Sequence, residues 1–133
     1  MQLRQSQLAE QALLCLERVK HLEYFAEYGT RANSFPSMVV QVGLAQALGF
    51  LRAKSGANNS RLERAYRQYY EDLVTLARIP MPNAPSDGDA FYSWVVALEL
   101  GDYRRATQAI LDGGVWLKRI YQGTEKPARG VNK

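Results

Sequence analysis

Cys15 and His21, the single thiol and the single imidazole of the chain, are the residues from which nucleophilic catalysis would have to be built. They fall on one expected helix, six residues apart. That spacing turns their side chains about 120° away from each other, so they do not form a thiol–imidazole pair. Cys15 lies on the apolar face and reads as a small core residue; His21 reads as a surface group. One Cys and one His are too few for a zinc site of the usual ligand set. Asp87 and Asp89 could touch a cation, but two loop carboxylates fall short of an EF-hand pattern and suit the positive end of a helix better. No glycine loop followed by a lysine is present to cradle phosphates. The reading is a protein without catalytic residues, metal or cofactor.

Charge is the remaining chemistry. Seventeen Lys and Arg face thirteen Asp and Glu, and the excess is unevenly placed. Residues 1–29 are slightly acidic, and 79–112 carry five acids against Arg104 and Arg105. The surplus sits in 31–78 and after 113, which suggests a polyanion partner, RNA or DNA. Lys54 and Arg52 have no acid within a turn of their own helix, and neither do Lys118 and Arg119. Arg61 and Arg64 lack acids three or four residues further on and are also candidates for phosphate. Arg67, spaced four from Glu63 and four from Glu71, reads as held in an intrahelical ladder. Arg104 and Arg105 sit in a first helical turn where the dipole disfavours cations. Tyr66, Tyr69, Trp94 and Tyr121 fall on inner faces and read as core.

The elements that must place these residues are all helical. Alternation of the strand type is missing, and apolar residues recur by threes and fours. Leu8, Ala12, Cys15, Leu16, Val19, Leu22 and Ala26 define a first helix over about 3–28, followed by a short connection at 30–35. A second helix over about 36–55, apolar on nearly every face, opens on Pro36, whose missing N–H suits a first position. It carries Val40, Leu44, Leu48 and Leu51 on one stripe and Val39, Gly43, Ala47 and Phe50 on the next. Gly43 and Gly49 inside it imply close neighbours, because each costs roughly 1 kcal/mol against alanine. Ser60 and Glu63 form a capping box that opens a third helix with Leu62, Tyr66, Tyr69, Leu73 and Leu76 inward and Pro80 as its stop. Residues 81–88 form the longest irregular stretch. A fourth helix starts near Asp89, capped by Ser86 or Asp87, with Phe91, Trp94, Val95 and Leu98 inward. A fifth carries Tyr103, Ala106 and Ile110, and Gly113–Gly114 breaks or kinks it before a last apolar phase at 115–121. The expected fold is a compact all-α bundle of five to six helices around a central apolar helix, about 36–55. Residues 1–122 form one domain, and 123–133 a flexible basic tail.

Phe35-Pro36-Ser37, then Gly43-Leu44-Ala45-Gln46-Ala47-Leu48, then Phe50-Leu51 and Lys54, resemble the small helical subunit of the Cmr-type (type III-B) CRISPR RNA-silencing complex. Trp116-Leu117-Lys118-Arg119 is similar to that family's closing motif. The resemblance spans most of the chain. It implies a noncatalytic subunit of a ribonucleoprotein whose copies stack along repeated backbone subunits and help hold the guide–target RNA; the single Cys15, unable to form an internal disulfide, makes the cytoplasm the expected location. By position, Lys54, Lys118 and Arg119 match recurrent basic sites of the family; Arg52, Arg61 and Arg64 are added by the charge argument alone. The implied partners are other Cmr subunits, further copies of the chain and RNA, with neither membrane nor small-molecule substrate. The alternatives are a protein–protein adaptor whose cations meet acidic subunits and, more weakly, a DNA-binding regulator.

Overall fold

A computed structural model describes residues 3–131, with side chains described as far as Thr124. Six helices follow one another: α1 Arg4–Val19, α2 Phe25–Val42, α3 Leu44–Ser55, α4 Arg61–Ala77, α5 Gly88–Val96 and α6 Leu100–Val131. The described residues contain no strand, as the periodicity requires. One hydrophobic cluster runs through all six helices.

The helix expected over 3–28 ends at Val19, and the chain turns through 20–24 before α2 begins. The turn is closed by short-range bonds, Leu22 N–H to the Val19 carbonyl and Phe25 N–H to the Leu22 carbonyl. It releases Leu22 and Ala26 from the inner face, both of which are exposed. A stronger stripe replaces them: Tyr24, Tyr28, Ala32, Phe35 and Val39, all buried. That stripe carries the helix straight through 30–35, so the expected connection is part of α2, and Pro36 stands in its interior. Thr30 and Ser34 hydroxyls donate back to the carbonyls of Ala26 and Thr30 on the same helix.

The helix expected over 36–55 is therefore two pieces, parted at Gly43. Its φ of +89° is a conformation that L side chains rarely adopt. Gly43 N–H closes α2 on the Val39 carbonyl, while its own carbonyl accepts from Ala47 N–H and opens α3. Ala45 N–H, one of the orphan donors of the new first turn, donates to Tyr103 Oη of α6 at 2.8 Å. Val40, expected inward, is 74% exposed because the break ends the stripe it belonged to. Gly49 matches the close-neighbour reading: a Cβ there would stand 3.2 Å from Tyr92 Oη on α5.

The centre of the bundle is α4, which packs against each of the other five helices and buries nine of its 17 residues. Its start is the expected capping box, with Glu63 N–H on Ser60 Oγ at 3.2 Å and Ser60 N–H on Glu63 Oε1 at 3.0 Å. Leu62 is half exposed, since at the second helical position it projects beyond the neighbouring helices. Where α2 crosses α4, the Tyr69 ring meets Tyr28 edge-on at 5.5 Å and Phe35 at 5.6 Å. Such pairs add about 0.5–1.5 kcal/mol each beyond area burial. Asp87 caps α5 through Ala90 N–H at 2.9 Å.

Gly113 and Gly114 do not interrupt α6, which runs on to Val131. Both are buried, because α4 and α2 lie directly against the helix there: a Cβ on Gly113 would come within 2.9 Å of Leu76 Cβ, and one on Gly114 within 3.5 Å of Pro36 Cγ. Most of the tail expected over 123–133 falls on side chains outside the described residues, as do Asn132 and Lys133 entirely. Alanine at Gly113 gains about 1 kcal/mol of helix propensity but must push α4 away through an atom fixed to its backbone, at about 1–3 kcal/mol. The expected net result is a loss of roughly 1 kcal/mol. Alanine at Gly123 of the same helix meets nothing within 4 Å and is expected to stabilise by up to about 1 kcal/mol. Urea midpoints of the two variants check both signs.

Candidate nucleic-acid interface

The groups that catalysis would need stay apart. Cys15 is fully buried, and desolvation, reinforced by the Asp72 charge, pushes its pKa up to about 12, which leaves the thiol protonated and unreactive. His21 is exposed in the α1–α2 turn. Among the described residues no group of three or more His, Cys, Asp or Glu could hold a metal ion. No described helix is long and apolar enough to cross a membrane.

The six candidate cations divide into two sets. Arg52 pairs with Asp89 of the α5 start at 2.6 Å, and its guanidinium lies 4.6 Å from the Tyr92 ring centre; the hydrogen bond to Asp89 raises its pKa above the ordinary value. Arg61 pairs with Glu27 at 3.0 Å, and Arg64 with Glu23. The expectation that these three are unneutralised therefore fails. Their acids lie on other elements, Asp89 in α5, Glu27 in α2 and Glu23 in the turn before α2, 37, 34 and 41 residues away in the chain, where a search within one helix does not reach. Arg67 also departs from its expected ladder and donates to Asn59 Oδ1 and the Ser55 carbonyl, closing the α3–α4 connection. Arg105 pairs with Asp102 of its own helix, at 2.6 Å.

Lys54, Lys118 and Arg119 have no carboxylate partner among the described residues. Lys54 is exposed at the end of α3, its Nζ 5.7 Å from the Phe50 ring centre. Lys118 is half-buried and follows Val115 by three and precedes Gln122 by four, which places it on their stripe of α6. Val115 lines a groove with Pro36, Ser37 and Val40, and Gln122 Nε2 donates to Asn33 Oδ1. That stripe faces α2. On the other flank of α2, Phe50 lines a groove with Ser34, Ser37, Met38 and Gln41. Lys54 and Lys118 thus stand on the two sides of the exposed α2 face, whose ridge of Thr30, Ser34, Ser37 and Gln41 is uncharged. Arg119 is exposed one position over, 5.8 Å from the ring centre of Trp116, which donates to Gln5 near the start of α1. Sequence spacing gives no sign of Arg31, which also lacks a carboxylate partner among the described residues and sits 4.9 Å from the Tyr66 ring centre. Four residues after Glu27, it has the spacing of an intrahelical pair, but Glu27 is held by Arg61.

The sequence model of the CRISPR-associated protein family Cas_Cmr5 matches residues 4–124, which include α2, α3 and the part of α6 that frames this face. The chain belongs to the Cas_Cmr5 family. A solved structure, the X-ray crystal structure of a CRISPR-associated Cmr5 family protein from Thermus thermophilus, is similar at 27% identity with a TM-score of 0.76. The match covers 92% of this chain and 97% of that one. No curated protein matches the chain. Cas_Cmr5 membership makes this a small helical subunit of the Cmr type, as the Gly43–Lys54 and Trp116–Arg119 motifs suggested.

Proposed function

We propose that this Cas_Cmr5 protein is a noncatalytic, cytoplasmic subunit of a type III-B ribonucleoprotein that targets invading RNA. It packs beside the repeated backbone subunits and other copies of itself, and meets the guide–target RNA with its α2 face. The observation that carries the reading is the placement of Lys54 and Lys118. They flank an uncharged ridge of hydroxyl and amide side chains and lack carboxylate partners among the described residues, while Arg52, Arg61 and Arg64 are paired. Two cations flanking groups that donate and accept hydrogen bonds suit phosphate and sugar contacts without base reading. Arg119, on the adjacent stripe of α6, extends the surface toward α1. Arg52, Arg61 and Arg64 belong to ion pairs between elements first and rank below these three.

The adaptor reading keeps one supporting observation. Val40, Val42 and Leu100 are exposed apolar side chains near the Gly43 break, where Tyr103 of α6 reaches α3, and this end suits contact with another subunit. The test uses target RNA carrying photoreactive 4-thiouridine in the assembled complex, with crosslinked peptides identified by mass spectrometry. Crosslinks are expected on peptides from 30–42, 50–55 and 115–122. Crosslinking confined to other subunits supports the adaptor.

A further inference from the structure

Arg31 is the cation whose surroundings are least explained by the fold. Its guanidinium is fixed over Tyr66, yet its Nε is buried without an acceptor. Glu27, the one acid a turn away, is turned toward Arg61 at 3.0 Å, and its second oxygen is likewise buried without a donor. From Arg31 a line of contacts runs through the packing of α2, α4 and α3: 4.9 Å to the buried Tyr66 ring, 6.0 Å from that ring to Phe50, and 5.7 Å from Phe50 to Lys54 Nζ. Two cations are thereby tied to one another through two aromatic rings of α4 and α3. Phe50 is also part of the α2–α3 groove, whose other lining side chains, Ser34, Ser37, Met38, Gln41, Val42 and Gln46, include no carboxylate. The corresponding α2–α6 groove contains Asp112, which would repel a polyanion.

We infer that Arg31 and Lys54 each grip a phosphate of a single-stranded stretch of RNA at one end of the α2–α3 groove, with Phe50 beneath its bases. A stacked guanidinium loses little freedom on binding and presents a fork suited to phosphate oxygens. Serine and glutamine rims suit ribose and phosphate contacts, and an aromatic floor accepts any base. The inference rests on RNA passing over the α2 face, and adds Arg31 and the path that the strand takes.

The test measures binding of a fluorescein-labelled oligouridylate to the full chain by anisotropy across a salt series. Arg31→Gln keeps most of the packing on Tyr66 and removes the charge. It is expected to weaken binding about fivefold at low salt and to lower the salt slope by about 0.7, the value for one phosphate contact on a single strand. Arg31→Lys is expected to restore the slope and part of the affinity. Independently of any variant, saturating oligouridylate is expected to protect Arg31 of the wild-type chain from phenylglyoxal, read by mass spectrometry. An unchanged slope in Arg31→Gln, or an unprotected Arg31, overturns the inference. If K54E/K118E still weakens binding in that case, RNA contact at the α2 face survives and only the groove path is lost; if neither responds, both readings fail. Loss of complex assembly in Arg31→Gln with RNA binding intact assigns Arg31 to a protein contact and also overturns it.

Discussion

Reversing charge at Lys54 and Lys118 together is expected to lower oligouridylate affinity of the full chain by roughly a hundredfold at low salt, and to reduce target-RNA retention by the assembled complex. Each lysine that leaves a phosphate removes about 0.7 from the slope of log affinity against log salt on a single strand. Two lost contacts lower the slope by about 1.4, and the new carboxylates add repulsion that salt screens. The deficit is therefore expected to shrink as salt rises. Neither lysine holds a carboxylate among the described residues, so the fold is expected to lose no more than about 0.5 kcal/mol. The change takes the formal charge from +4 to zero, and a control must match it. Reversal of Arg4 and Arg104, both exposed, produces the same net charge away from the α2 face. Equal losses in the two double variants would mean that total charge, not the α2 face, governs binding, and retention equal to wild type would remove both lysines from the site.

The Asp72→Ala variant is expected to lose roughly 3 kcal/mol, read from urea denaturation. Among the described residues Asp72 is the one buried charged side chain, 2% exposed. It accepts from Tyr28 Oη and, at 3.0 Å, from Gln68 Nε2. Alanine strands both donors, of which the buried tyrosine hydroxyl alone costs about 1–3 kcal/mol, and leaves a void between α2 and α4 that adds to the cost. Asp72→Asn keeps an acceptor for Tyr28 and is expected to be the milder change.

The same residue makes stability depend on pH. Desolvation raises the Asp72 pKa above its ordinary 3.8, against the opposing hydrogen bonds from Tyr28 and Gln68 and the Arg18 charge. A carboxyl whose pKa is higher folded than unfolded holds its proton more firmly in the folded state. Its stabilising contribution is complete below the unfolded value and is lost as pH climbs through the folded one. Wild type is thus expected to lose stability relative to Asp72→Asn as pH rises from about 4 toward 7, and parallel denaturation midpoints over that range would contradict the assignment.

Much of this protein was written in local pattern. The periodicity allows only helices, Ser60 with Glu63 starts α4 through atoms three residues apart, and Asp87 caps α5 in the same local way. That Lys54, Lys118 and Arg119 lack carboxylate partners among the described residues was also reachable, because their own helices hold no acid within a turn. The stripe Tyr24, Tyr28, Ala32, Phe35, Val39 was equally present in the sequence, but it competed with the α1 stripe running on through Leu22. Choosing between two overlapping stripes requires knowing where α4 lies, since Tyr69 receives both Tyr28 and Phe35.

Tertiary structure alone decided the glycines and the arginines. Gly43 parts two helices and Gly113 lies within one. The same residue type serves both, because its missing Cβ permits a positive φ at the first and the approach of Leu76 at the second. Arg52, Arg61 and Arg64 are neutralised by acids 34 to 41 residues distant, whereas Arg31, with an acid one turn away, is left without it. Helical spacing reports which groups share a face of one helix; which charge is taken depends on the helix packed opposite, and that is set by burial of the core and not by the charges themselves.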